Sequence, residues 1–216
     1  MTIPEEIEQL KIKLGETDDE RKQAELLLEI LYKYASIPSA DAEPYIDRLL
    51  QSAERLNETL YKAWGLYYLA VLREIKGEYN YAIDLGQQAI SLFEQIKDRK
   101  GIAISYHHIG SVYEKQGKYP EALKNHFVAL KLIEELGDKQ SKAASYNNIG
   151  VIYFRQCNYT EALKNHFAAL KINEELQNKS WLFKNYTNIG TDYINQGNYP
   201  KALKNFHVVL MIKIEI

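Results

Sequence analysis

Apolar positions along this chain fall into a helical pattern that is broken and restarted at regular intervals. Between residues 101 and 115, Tyr106, Ile109, Gly110 and Tyr113 recur at spacings of three and four, which puts them on one face of an α-helix. Gly117 ends the run where a tight turn favours positive φ. Pro120 then falls in the first turn of a second helix, where its missing N–H costs nothing, and Pro200 repeats the arrangement. That second helix carries Ala122, Leu123, Phe127, Leu130, Leu132, Ile133 and Leu136, and it ends at Gly137-Asp138, with glycine suited to a left-handed cap. Gly110 and Ala122 are small where paired helices must approach, so Gly110 and its counterpart Gly150 read as packing residues.

The two-helix pattern is written again forty residues later. Residues 101–140 and 141–180 agree without a gap at 22 of 40 positions, and 181–216 is a third copy. Stepping back, residues 61–100 keep Leu69-Ala70, Gly77, Tyr79, Ala82 and Ala89 opposite Ile109-Gly110, Gly117, Tyr119, Ala122 and Ala129. Residues 21–60 keep little beyond Ala42 and the apolar pattern, as in a degenerate first copy. Residues 1–20 form a flanking segment, with a short helix expected around Ile7, Leu10 and Leu14. Thr17-x-x-Glu20 reads as a capping box at the next helix start. A period of this size means stacked helix pairs, none able to bury its apolar face alone. The predicted organisation is one repeat domain over 21–216, in units of about 21–60, 61–100, 101–140, 141–180 and 181–216.

Composition narrows the function. At 46% apolar and 26% charged, with five prolines and eleven glycines in 216 residues, the chain can build a continuous core and needs no long linkers. Net charge is −2, which gives no general reason to bind nucleic acid or an anionic membrane. The first hundred residues carry 13 basic against 19 acidic side chains and the remainder 14 against 10. That gradient fits either exposed helix faces of different sign or a basic patch for an acidic partner. The solitary Cys157 supports no disulfide framework. The start of the chain lacks the basic flank and apolar run of a signal peptide, and no stretch approaches 18 apolar residues, so a cytoplasmic protein is expected. Gly-rich nucleotide loops, metal clusters and nucleophile motifs are missing, and neither cofactor nor enzymatic activity is expected.

Tyr106-x-x-Ile109-Gly110-x-x-Tyr113 followed by Ala122-x-x-x-His126-x-x-Ala129 resembles the tetratricopeptide repeat signature. Tyr146, Ile149, Gly150 and Tyr153 with Ala162 and Ala169 repeat it, as do Tyr186, Ile189, Gly190 and Tyr193 with Ala202 and Phe206. The usual period of this family is 34; six extra residues here lengthen the helices around the inter-repeat turn. His126 and His166 stand where the family places a large aromatic. The longer variant resembles repeats of bacterial peptide-sensing regulators and of input segments of signalling enzymes. The resemblance implies an all-α, right-handed α-α superhelix (a solenoid) of about five helix-turn-helix repeats.

It also implies that first helices line a concave groove, where Trp64, Tyr67, Tyr68, His107, His108, Ser111, Asn147, Asn148, Lys184, Asn188 and Thr191 would face a ligand. Tyr68, His108, Asn148 and Asn188 stand forty apart and should form a row. Asn amides both donate and accept, which suits the backbone of an extended peptide; they equally suit a bond to the neighbouring repeat. Of the basic groove residues needed by a two-carboxylate clamp, Lys184 alone fits. A metal is not expected: His107 and His108 diverge by about 100° on a helix, and His126 and His166 should sit on the order of 10 Å apart. Lys124, Lys164 and Lys204 make a stripe on the second helices, a solvated face or a surface for an acidic partner. Cys157 replaces the turn glycine of Gly77, Gly117 and Gly197.

The last stretch, Val208-Val209-Leu210-Met211-Ile212-x-Ile214-x-Ile216, is apolar almost all round. Val209, Ile212 and Ile216 share one side, and a homodimer through that side is the expectation; a further domain covering it is the alternative. The reading is a non-enzymatic scaffold that binds a protein or extended peptide and relays regulation. Nucleic acid and membrane are not expected partners. The rival is a sensory input segment of a larger signalling enzyme, a nucleotide cyclase or histidine kinase.

Overall fold

A pair of seventeen-residue helices joined by three-residue turns accounts for the period of forty. The computed structural model describes residues 2–37 and 39–214. Among them are eleven α-helices, one short 3-10 turn and no strand. Helices α1 (Ile3–Gly15), α2 (Glu20–Ser36) and α3 (Glu43–Leu56) precede the regular part. Then come α4 (Thr59–Ile75) and α5 (Tyr79–Gln95), α6 (Arg99–Lys115) and α7 (Tyr119–Leu136), α8 (Lys139–Arg155) and α9 (Tyr159–Glu175), and α10 (Lys179–Asn195) and α11 (Tyr199–Ile214). First helices start at Thr59, Arg99, Lys139 and Lys179, two residues before the boundaries expected from sequence, and second helices start at Tyr79, Tyr119, Tyr159 and Tyr199. None of the described helices is long and apolar enough to cross a membrane.

The turns explain this regularity. Asn57, Gly77, Lys97, Gly117, Gly137, Cys157, Gln177 and Gly197 all have positive φ, one every twenty residues. The residue after each of Asn57, Gly77, Lys97, Gly137, Cys157, Gln177 and Gly197 closes the helix just ended: Glu78 N–H reaches Arg73 O at 2.9 Å and Gly77 N–H reaches Glu74 O at 2.9 Å, the Schellman arrangement. Asp98, Asp138, Asn158, Asn178 and Asn198 do the same for their helices. The side chains of these same residues then accept from the first backbone N–H groups of the following helix, as Asp98 does from Gly101 at 3.0 Å and Asp138 from Ser141 at 3.0 Å. One residue ends a helix and starts another, so three residues suffice for the turn.

The N-terminal helix start differs from expectation. Asp19, not Thr17, caps α2, its carboxylate accepting from Lys22 N–H at 3.0 Å. Thr17 instead holds the approach, its hydroxyl accepting from Asp19 N–H at 3.3 Å and its carbonyl from Gln23 Nε2 at 2.6 Å. Asp19 serves because it stands immediately before the first helical residue, Glu20, where Thr17 lies two residues too early.

The chain divides into two compact units, Met1–Gln116 and Gly117–Ile216. In the first, Ile7, Leu10 and Leu14 of α1 join Leu27, Ile30 and Leu31 of α2, Ile46 and Leu49 of α3, and Tyr68 and Leu72 of α4 in one core. Ala82, Ile83 and Ile90 of α5 pack with Ile109 and Val112 of α6. Gly101 is small because Phe93 lies over it; a Cβ there would meet the ring.

In the second unit, Ala162, Ala169 and Leu170 of α9 and Ile149 and Ile152 of α8 are buried. A Cβ on Gly150 would lie 2.5 Å from His166, and one on Gly190 would lie 2.8 Å from Phe206, so these glycines make room for the ring on the paired helix. The apolar end is arranged otherwise than expected. Val209 and Ile212 are half-buried, while Tyr199, Leu203 and Leu210 are 67%, 72% and 59% exposed. Spacings of four and seven between these residues mark one open face of α11. Ile216 lies outside the described residues.

Candidate functional site

In the first unit, α4 places Trp64, Tyr67 and Tyr68 at positions i, i+3 and i+4, on one helix face. Their rings cluster, Trp64 with Tyr67 at 5.6 Å, Trp64 with Tyr68 at 5.9 Å and Tyr67 with Tyr68 at 5.2 Å between centroids. Phe93 supports Trp64 edge-on at 5.0 Å. Beside this cluster is a cavity of about 450 Å³ among three first helices: Leu28 and Tyr32 come from α2, the aromatics from α4 and Ile104 from α6. Glu29, Lys33 and Lys100 complete its lining, with Lys33 paired to Glu6 at 2.5 Å. Leu28, Tyr32 and Ile104 were not singled out by sequence; they lie on the same faces, but the repeat signature does not mark them.

A polar network lies behind the aromatics. His108 Nε2 and Lys115 Nζ each sit 2.9 Å from the Glu74 carboxylate. Burial pushes the Glu74 carboxyl up, yet the bonds from His108 and Lys115 outweigh it and hold the group below the ordinary range. Tyr67 packs edge-on against His108 at 5.7 Å, and burial, with the Glu74 charge adding, pushes its hydroxyl up to about 12. Burial likewise raises Tyr68. His107 is packed round by protein despite a partial opening to solvent; burial and then the charge of His108 push it down to about 4, so it is neutral near pH 7. Ser111 donates to His107 O at 3.2 Å. Tyr68 and His108 are buried, so neither offers the open groove surface expected of it.

In the second unit the amides bond one another across repeats. Asn188 Nδ2 donates to Asn147 Oδ1 at 2.8 Å, and Asn147 Nδ2 donates to Asn148 Oδ1 at 3.4 Å. Asn147 is buried rather than groove-facing. The sequence pairs Asn148 with Asn188 by register, whereas the bond to Asn188 comes from Asn147, one helical position round. Thr191 donates to Thr187 O at 2.9 Å. Lys184 is exposed, its Nζ 4.7 Å from the Trp181 ring centre, a cation–π contact.

One buried carboxyl here escaped sequence reasoning. Asp192 occupies the register of Val112 and Ile152, which are apolar, and it is 1% exposed. Its Oδ2 lies 2.6 Å from His166 Nδ1, itself 1% exposed. Burial raises the Asp192 carboxyl above its ordinary range although the bond to His166 opposes this. A cavity of about 250 Å³ adjoins the pair, lined by Val151, Phe154 and Arg155 of α8, His166 of α9, and Asn188, Thr191 and Asp192 of α10. The usable signal was the departure itself, a carboxylate where two earlier copies hold an aliphatic residue.

The tetratricopeptide repeat profile matches residues 101–175 and 141–210. No curated protein matches the chain. Among solved structures, BtubC (BKLC) from P. vanneervenii superposes with a TM-score of 0.83 at 18% identity, over 100% of this chain and 92% of that one. A Rap protein complexed with competence and sporulation factor gives 0.78 at 16%, over 97% and 70%. A putative kinesin light chain of Podosopora anserina, with nearly identical TPR-like repeats, gives 0.69 at 15%, over 92% and 98%. At these identities the likeness is one of fold.

Proposed function

We propose that this chain, which belongs to the tetratricopeptide repeat family, is a non-enzymatic regulatory scaffold that binds a protein segment or extended peptide through its first helices. The observation that carries this reading is the cavity of about 450 Å³ between α2, α4 and α6. Its walls are aromatic and aliphatic, and its edge carries Glu29, Lys33 and Lys100. Such a slot takes an apolar anchor side chain, whose burial contributes about 1.5–3 kcal/mol, while the mixed charges at the edge suit a peptide backbone and polar neighbours. That the Rap protein is complexed with competence and sporulation factor supports the same use of the fold here. Neither nucleic acid nor membrane is a partner on this reading, since the edge of the slot mixes signs and Lys33 is already paired.

The test is selection from a displayed random-peptide library, followed by affinity measurements on Tyr32→Ala and Ile104→Lys. Tyr32 is 68% exposed, so its removal spares the core. Selected peptides should share an apolar anchor and lose about 2 kcal/mol or more on Tyr32→Ala, roughly thirtyfold in affinity. Peptides that bind both variants as they bind the wild type, with the unfolding midpoint unchanged, would place the site elsewhere.

A further inference from the structure

The smaller cavity of the second unit has walls of a different chemistry, because its polar atoms have already committed hydrogens elsewhere. Thr191 gives its hydroxyl proton to Thr187 O at 2.9 Å, and Asn188 gives an amide proton to Asn147 at 2.8 Å. Asp192 accepts from His166 through Oδ2, and its Oδ1 is buried with no hydrogen-bond partner among the described residues. Asn188 Oδ1 and Thr191 Oγ1 keep lone pairs beside Asp192 on the cavity wall. His166 Nε2 lies on the other side, against Gly150, where a Cβ would lie 2.6 Å from it, and it too is buried without a hydrogen-bond partner among the described residues. A buried carboxylate oxygen without a donor is costly and is ordinarily satisfied by something.

We propose that this cavity is a subsite for a cationic N–H donor, the guanidinium or ammonium group of a ligand, received by Asp192 with Asn188 and Thr191 beside it. Its volume of about 250 Å³ lies below the roughly 300–1,000 Å³ of small-molecule pockets and suits one long side chain or a chain start. Arg155 lines the same cavity and is exposed. Its like charge acts through solvent and is screened, whereas Asp192 acts where the effective dielectric is low.

The test is titration of the ¹⁵N-labelled full chain with N-acetylarginine amide, N-acetyllysine amide, alaninamide and the neutral N-acetylcitrulline amide. Saturable shifts of the backbone amides of Asn188, Thr191 and Asp192 are expected with at least one cation, about tenfold weaker with the citrulline compound, and absent in Asp192→Asn. The best of the three cations identifies arginine, lysine or a chain start as the source. Thr191→Val, which leaves the His166–Asp192 bond in place, should weaken binding severalfold. An equal response to citrulline and arginine amides, or no saturable shift with any cation, overturns the proposal and leaves Oδ1 to an internal water. The probes are single amino-acid derivatives, so the outcome is independent of the aromatic cavity and of whether a peptide binds there.

Discussion

Asp192, buried, and Glu74, partly buried, are both carboxylates bonded to histidine, yet they respond to pH in opposite directions. Burial leaves Asp192 with a raised pKa, so its contribution to stability is complete below 3.8, the ordinary value, and is lost as pH rises through the folded value. His108 and Lys115 leave Glu74 with a lowered one, so its contribution is present above 4.5 and is lost as pH falls. Acid unfolding of the wild type mixes the two. The difference between wild type and Asp192→Asn isolates the first: the variant should be more stable in urea near neutral pH, with the advantage shrinking toward pH 4. A constant difference would mean that Asp192 does not change protonation state over this range. Little of this was legible in the sequence. Asp192 stands 26 residues from His166, and pairing across that distance depends on how two helices are rotated, which apolar spacing does not record. For the same reason the sequence chose Asn148 over Asn147.

Helices are read far better than side-chain partners, because each boundary has a local cause. The aliphatic and tyrosine spacing marks their faces, and Gly77, Gly117, Gly137 and Gly197 mark turns that need positive φ. Asn57, Lys97 and Gln177 carry no such mark, yet they adopt the same conformation with φ of 51°, 58° and 52°. Backbone bonds closing the preceding helix hold all three there, and for Lys97 and Gln177 the next residue also caps the following helix. Cys157, at φ 58°, replaces glycine in a turn that wants it. Cys157→Gly should therefore stabilise the fold by about 1 kcal/mol and Gly117→Ala should cost about as much, measured by denaturant unfolding. If Cys157→Gly proves destabilising, the thiol makes a contact that outweighs the backbone strain.

For the whole molecule, the sequence shows how many helix pairs there are and how they are spaced, and it misjudges which surface is left open. Leu130 and Leu170 are 7% exposed, but Leu210 in the same register is 59% exposed. In α9 that position is covered, whereas on α11 it belongs to an apolar face open to water. Self-association through Tyr199, Leu203 and Leu210 is accordingly expected, and a Leu203→Glu/Leu210→Glu double variant should sediment more slowly than the wild type at tens of micromolar; equal sedimentation as monomers would remove the dimer. The turns carry a different consequence, for how such a gene can change length. Since Asp98, Asp138 and Asn178 each finish one helix and begin the next, the forty-residue cassettes between them carry matching junctions. In-frame loss of residues 141–180 rejoins Gln140 to Trp181 with matching caps and phase, and the shortened protein should still unfold cooperatively. Removing one residue fewer would turn everything downstream by about 100° about its helix axis and strand its apolar face in water. Recombination in register between the related copies can therefore lengthen or shorten this protein in steps of forty.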